Sequence, residues 1–409
     1  MFKGGLDAEV LAESVAELVD QLPALSGRYQ TKTASVISSS TKASVKIQTA
    51  NGSIADILAS EKRLHYIEQP ARKDVLRGEA SLSTFTLTEF EDGGVVFGMA
   101  ISHVLTDAAG YHLLMRHLAD IYTAVLTRKT VPDFTFATHI KAFEFGTGRP
   151  KAETLKTLKQ RGLPKPIPIK GLLGKVIKSL IVKAMDKSLA DNPPVRVTLS
   201  AEDVARLKGT VLAESGEDWI STNVALCAHF TSIMARLSYG EDIKTEIQIG
   251  QLLDLRNRYF EIDAKAQSNY FGNAILIHID KAAFPDGLQN TSRGALARYF
   301  KQRQAKTDTA DVKDRLDLLA DCLTHGYTNP ELDVKNPIIS LNNQSKMPVY
   351  NVSFGGQLPD RIIPQDVGDN IMFFPAPDGD IEIYIRDIVN PQGQQKLLTP
   401  DWQAQIYNV

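Results

Sequence analysis

Cysteine is scarce in this chain, net charge is close to zero and long apolar runs are missing, and each shortage removes a class of function. Only Cys227 and Cys322 occur in 409 residues. Two thiols make no disulfide framework, and neither a CxxC pair nor a Cys/His cluster of zinc spacing is present. They read as reduced, buried thiols of a cytosolic protein, and no metal is expected. A net charge of −2 gives the molecule no general attraction to nucleic acid or to anionic membranes. No stretch approaches the ~18 uncharged apolar residues of a membrane-spanning helix. Met1-Phe2-Lys3-Gly4-Gly5 leads into acidic residues without the apolar run of a signal peptide, so the expected location is cytoplasmic. No GxGxxG follows a strand, and GxxxxGK before Ser or Thr is absent, which removes the usual dinucleotide and nucleoside-triphosphate sites. GxSxG is absent too, and with it the esterase elbow.

What remains is the balance of a folded protein, 43% hydrophobic and 23% charged. The length suits two domains of about 150–200 residues each. Leu6, Val10, Leu11, Val15, Leu18 and Val19 recur at helical spacing until Pro23. Ala43–Ile47 and Thr84–Leu87 alternate as strands do, and Gly94–Ser102 has apolar residues on both faces, as a central strand would. A second helical stripe runs through Leu113, Leu114, Leu118, Ile121, Tyr122 and Val125. Between Arg149 and Lys187 eleven Lys and Arg face only Glu153 and Asp186, leaving the rest of the chain strongly acidic. Pro150, Pro164, Pro166 and Pro168 predict a linker there, and Gly171–Leu189 a basic amphipathic helix. The expected domains are therefore 1–148 and 193–409, joined by a basic crossover over 149–192. In the second, Arg196–Leu199 is a strand, Ser200 to Asp203 a capping box and Asn223–Leu237 a helix. Glu246–Leu255, Asn273–Ile279, Val349–Phe354, Ile371–Phe374 and Ile381–Ile385 read as strands. The fold class is α/β of the α+β type.

The sharpest chemical feature is Ser102-His103-Val104-Leu105-Thr106-Asp107-Ala108-Ala109-Gly110. It sits where a strand ends and a helix begins, a place from which rigid scaffolds present reactive groups. A neutral imidazole there can take a proton from a hydroxyl or amine attacking a carbonyl. Asp107 precedes the helix, where it can cap free amides or pair with an arginine and so fix the turn. Taken alone, HxxxD also suits a structural turn with a surface histidine. His112 and His117 are five apart, off the spacing of one helix face, and Cys227 and His229 point to different sides of their helix. Neither pair makes a metal site or a nucleophile couple.

Several dispersed segments together resemble the plant and fungal BAHD acyltransferases. They are His103 to Asp107 for HxxxD, Leu22-Pro23-Ala24-Leu25-Ser26-Gly27-Arg28 for a PLAGR turn, and Ile220-Ser221-Thr222-Asn223-Val224-Ala225-Leu226-Cys227-Ala228-His229 for a helix start. Asp254-Leu255-Arg256-Asn257-Arg258 matches a further family segment, and Asn269-Tyr270-Phe271-Gly272-Asn273-Ala274 matches another in all but its first position. The resemblance implies two chloramphenicol-acetyltransferase-like domains, each a mixed sheet flanked by helices, with a tunnel between them. It implies a monomeric enzyme of secondary metabolism that uses acyl-CoA as co-substrate, holds no permanent cofactor and acylates a small-molecule hydroxyl or amine. His103 would be the general base, with no acyl-enzyme intermediate. Asp107 would hold the turn, with Arg256 or Arg258 as its partner, unless Asp254 carries that network. Ser221 and Thr222 at a helix start are candidates for a CoA phosphate, beside the plainer role of capping. The basic crossover would attract the CoA phosphates; a solvated linker or a membrane-surface helix would have the same composition.

Two departures stand out. The family's DFGWG is here Ser353-Phe354-Gly355-Gly356-Gln357, so an aspartate is replaced by Ser353 and a tryptophan by Gly356. The strand that usually precedes the first helix is missing, which would uncover a sheet edge and widen the acceptor pocket. Two other functions fit parts of this pattern. One is a condensation-type transferase with a carrier-bound donor, although Ser102 stands where those enzymes usually carry a second histidine. The other is a non-catalytic homologue that binds acyl-CoA or a partner.

Overall fold

The computed structural model describes residues 1–30, 35–37, 39, 41–59, 66–139, 143–169, 193–239, 247–256, 259, 268–281, 284, 287–333, 336–364, 371–387 and 394–407. The chain divides into two compact units. The first comprises Met1–Lys141, Ile262–Ala274 and Met347–Gln365, and the second Ala142–Glu261, Ile275–Lys346 and Asp366–Val409.

In the first unit α1 (Ala8–Gln21) opens where the Asp7 carboxylate accepts from the Glu9 and Val10 amides. Its predicted stripe is buried at Leu11, Val15, Leu18 and Val19. A 3-10 turn, Pro23–Ser26, carries the chain to β1 (Arg28–Gln30), which pairs antiparallel with β2 (Ser35–Ile37). Then come β3 (Val45–Ala50), α2 (Ile54–Ala59), α3 (Arg72–Arg77), β4 (Ser83–Phe90) and β5 (Val95–Ile101). They form a sheet in the order β3-β4-β5, with β3 parallel and β5 antiparallel to β4. The strand expected to be central, β5, is not: β4 lies in the middle, and Phe2 makes a single bridge to Val95. Coverage of both faces explains its apolar sequence. Val95 and Met99 enter the core, and on the other side a Cβ on Gly98 would lie 2.0 Å from the Ile67 side chain. After the HxxxD turn, α4 (Ala108–Leu126) buries Leu114, Leu118 and Ile121 in the same core as α1.

Val349–Phe354, predicted as a strand, is a 3-10 turn over Val349–Asn351 followed by a tight hairpin turn. Phe354 and Gln357 exchange N–H···O bonds of 2.9 and 3.0 Å. Gly355 and Gly356 between them have φ of 61° and 94°, as a two-residue turn with left-handed central residues requires. Apolar residues are there to fill the core, and Pro348 and the glycines leave no length for a strand. The Phe354 ring meets those of Phe2, Phe97 and Tyr122 edge-on at 5.6, 6.0 and 5.6 Å.

In the second unit the proline-rich stretch is not all linker, because α5 (Lys151–Gln160) begins directly after Pro150. A proline is tolerated at a helix start, and the next one is Pro164, so the interval is free to coil. The helix predicted over Gly171–Leu189 lies outside the described residues. The unit continues with β6 (Val195–Leu199), α6 (Ala201–Ser215), α7 (Thr222–Tyr239), β7 (Gln248–Asp254), β8 (Ile275–Lys281), α8 (Arg293–Lys306), α9 (Thr309–Thr324), β9 (Ile338–Asn343), β10 (Ile371–Pro375), β11 (Ile381–Ile385) and α10 (Pro400–Tyr407). Ser200 and Asp203 form the predicted capping box. Six strands make one mixed sheet in the order β6-β11-β10-β9-β7-β8, with β9 parallel to both its neighbours. Its core joins Val197, Ile249, Leu341, Phe373 and Ile383 to Phe230, Ile233 and Phe300 from the helices. Mixed sheets with flanking helices in both units agree with the expected fold class. None of the described helices is long and apolar enough to cross a membrane.

Phe354→Ala removes a ring that is 3% exposed and meets three others edge-on. It should cost about 3–5 kcal/mol, read as a lower urea midpoint with the far-ultraviolet spectrum retained in buffer.

Candidate active site

β5 ends at Ile101, and the turn 102–107 brings the chain round to α4. Ser102 stays on the sheet through its amide, which donates to the Leu82 carbonyl at 2.7 Å. Leu105, Thr106 and Asp107 are buried, whereas His103 and Val104 are exposed. Imidazole and anchor thus part company within five residues.

Asp107 is the anchor. One carboxylate oxygen accepts from the Ala109 and Gly110 amides, both at 3.1 Å, capping α4. The other accepts from the Ala274 amide at 2.7 Å. Because Asp107 is 4% exposed, these bonds offset the cost of burying its charge. Asn273 adds a second tie, its side-chain amide donating to the His103 carbonyl at 2.9 Å. The Thr106 hydroxyl lies 3.4 Å from the Gly272 carbonyl. A Cβ on Gly110 would meet that hydroxyl at 1.9 Å, so the close approach requires glycine. HxxxD and Asn269–Ala274 therefore form one latch across about 170 positions of sequence. Asn273 as a donor to the HxxxD turn was not anticipated; its place in the Asn-Tyr-Phe-Gly-Asn-Ala segment was the available signal. Nor was Tyr111, whose hydroxyl donates to the Met99 carbonyl at 2.7 Å and ties α4 back to β5. Burial raises the Tyr111 pKa.

The other predicted support residues divide between the units. Phe354 and Gly355 grip the far end of α4, where the Gly355 amide donates to the Thr123 hydroxyl at 3.0 Å. Ser353 is half-buried beside them. In the second unit Arg256, 7% exposed, pairs with Asp254 at 3.1 Å. Arg258 lies outside the described residues. The Ser221 hydroxyl accepts from the Val224 amide at 3.1 Å, so it caps α7; Thr222 follows at the first position of that helix.

Burial sets the remaining candidates aside. It pushes the Cys227 thiol up to about 12 and, with Asp321 nearby, the Cys322 thiol to about 11, so neither is a thiolate near neutrality. His117 bonds Gln21 at 2.7 Å among Phe134 and Phe136, and burial followed by the Arg116 charge lowers it to about 4. His229 sits between the Ile406 carbonyl and Arg293, each at 3.1 Å, and burial, then Arg293, lowers it to about 4. Among the described residues no group of three or more His, Cys, Asp or Glu is arranged to hold a metal.

Two predictions follow from this geometry. Asp107→Ala loses the α4 cap and strands the buried Ala274 amide, which together should cost about 2–4 kcal/mol in urea unfolding. The second concerns pH. His229 is neutral in the fold down to about 4, whereas in the unfolded chain it titrates near ~6.5. Between those values the unfolded state binds the extra proton, so stability falls as pH falls through that window, by up to about 3 kcal/mol from this residue. His229→Gln should flatten the dependence of the urea midpoint on pH between about 6.5 and 4; an unchanged slope would refute the assignment.

The family model that matches is the Transferase family, over residues 5–387. TRI101 of F. sporotrichioides, solved with coenzyme A and T-2, superposes with a TM-score of 0.66 at 14% identity, covering 97% of this chain and 90% of that one. Vinorine synthase gives 0.65 at 15%, covering 96% and 86%. The first condensation domain of the calcium-dependent antibiotic synthetase gives 0.60 at 14%, covering 100% and 88%. At such identities these likenesses concern the fold. No curated protein sequence gives a significant match. The family match spans nearly the whole chain, including the HxxxD turn, its latch and the Phe354 hairpin, and the chain belongs to the Transferase family of BAHD acyltransferases.

Proposed function

We propose that this acyltransferase moves an acyl group from acyl-CoA to a hydroxyl or amine of a small molecule, with His103 as general base. The observation that carries the reading is the contrast within the turn: the His103 backbone is held by Asn273, while its imidazole is exposed at the end of β5. The neutral ring takes the acceptor proton as the acceptor attacks the thioester carbonyl. A tetrahedral oxyanion forms and collapses, the carbon–sulfur bond breaks, and the imidazolium returns the proton to the CoA thiolate. No covalent enzyme intermediate is required, in keeping with thiols that burial holds protonated. Asp107, Phe354 and Gly355 act on the position of His103 and α4, with Ser353 beside them and Arg256 and Arg258 as further supports. Thr222 and Ser221, at the start of α7, are offered as contacts for a CoA phosphate. CoA-bound TRI101 supports the choice of donor by analogy of fold.

Release of thiol from acetyl-CoA in the presence of alcohols and amines tests this. His103→Ala should lower kcat by about 100- to 10,000-fold and leave KM for acetyl-CoA within a few-fold. Equal turnover in the variant would remove His103 from the chemistry. Likeness to condensation domains motivates one rival donor, a carrier-bound thioester. It gains if free acetyl-CoA is inert while the same acyl group on a carrier protein is transferred.

A further inference from the structure

The HxxxD turn has a polar neighbour in its own unit. The Ser102 amide donates to the Leu82 carbonyl, and the Leu82 amide in turn to the Gly27 carbonyl at 3.1 Å. Gly27 and Ser102 are thus both tied to Leu82, which links the turn 23–28 to the residue before His103. β3 runs parallel to β4 and starts at the same end of the sheet. Between these elements opens a groove of about 240 Å³, lined by Arg28, Lys42, Lys46, Glu68 and a series of Ser and Thr hydroxyls, with Ala43 and Phe85 among them.

Its charges are unequally matched. Lys46 pairs with Glu68 at 3.2 Å, and Lys42 pairs with Asp20. Arg28 has no acid: one of its terminal nitrogens donates to the Gly78 and Glu79 carbonyls. Its other donors have no partner among the described residues, and Ser44 is exposed nearby. A half-buried guanidinium with an unused fork is matched by two oxygens of a carboxylate or phosphate.

The geometry points to this groove as an acceptor subsite that selects an anionic, hydroxylated acceptor, its carboxylate or phosphate held by Arg28 and its nucleophile directed toward His103. The inference rests on the acyl-transfer reading and deepens it.

Ligand-observed NMR on the full chain tests it with small hydroxy-carboxylic acids against their methyl esters, and sugar phosphates against the parent sugars. One charged series should bind at least 10-fold more tightly than its neutral counterpart, which also tells carboxylate from phosphate. Arg28→Gln should remove that preference, and Arg28→Lys should restore part of it. Because Arg28 also holds the backbone of Gly78 and Glu79, Ser44→Trp provides an independent variant, filling the groove from an exposed position and abolishing binding without a change in melting temperature. Failure of every anion to bind, equal binding of the neutral compounds, or undiminished binding in both Arg28→Gln and Ser44→Trp would overturn the assignment. Thiol release from acetyl-CoA by the unmodified protein and by His103→Ala is measured alongside. If that activity is absent, the acyl-transfer reading fails, whatever the groove binds.

Discussion

A single buried carboxylate does two structural jobs at Asp107. One oxygen ends the unpaired amides of α4, and the other takes the amide of Ala274 from a segment far along the chain. Neither job alone would fix the turn. A cap without the distant bond would leave the turn free to pivot on the helix, and the distant bond without the cap would leave the first amides of α4 without their acceptor. Together they place His103 four residues from a point that is fixed in two directions. Glycine at 110, threonine at 106 and asparagine at 273 make sense as consequences, since each fills or bridges space that the carboxylate defines.

α4 transmits that placement. Its first turn is gripped by Asp107, its second by the Tyr111 hydroxyl on Met99, and its last by the Phe354 hairpin through Thr123 and Tyr122. The hairpin's grip is mostly apolar. That explains how the segment Ser353 to Gln357 keeps its place in the core without the aspartate and tryptophan of the family's second signature. The phenylalanine supplies the buried rings, Gly355 supplies the left-handed bend, and a Cβ there would strike Leu126 at 2.5 Å. The position of the missing aspartate carries less of the load than that of Asp107, because the hairpin closes on its own backbone bonds.

Much of this was legible in the sequence, and the misses share a cause. Stripes such as Leu11, Val15 and Leu18 report local periodicity, and so do the Ser200–Asp203 capping box and the Ile381–Ile385 strand; all three appear where expected. Long-range placement left weaker marks. β5 reads as central because both faces are covered, yet coverage by a loop residue such as Ile67 gives the same composition as coverage by strands and helices. Val349–Phe354 reads as a strand because hydrophobicity does not say whether a residue enters the core from a sheet or from a hairpin tip. The helix Arg293–Lys306 has little amphipathic signal, since Gly294 and Arg303 are among its buried residues; Arg303 is buried by pairing with Asp280 at 2.9 Å. Asp107 was recognised as a cap from its position, but its bond to Ala274 depends on tertiary proximity that no local pattern encodes.

The way the turn is held bears on what the imidazole can do. Constraints on residues 102–107 act through the backbone and through the residues after His103: the Ser102 amide on Leu82, the His103 carbonyl on Asn273, and the Asp107 carboxylate on three amides. By contrast, the His229 ring is bonded at both nitrogens, to the Ile406 carbonyl and to Arg293. A ring bonded on both sides is a good strut and a poor proton carrier, because each proton transfer must first break a bond that the fold has made. Under the proposed chemistry the base takes a proton from the acceptor and delivers it to a leaving thiolate, two atoms at different places. A fixed Cα with an exposed ring meets both needs, since the approach to the carbonyl is set by the scaffold and the final hand-over needs only side-chain rotation.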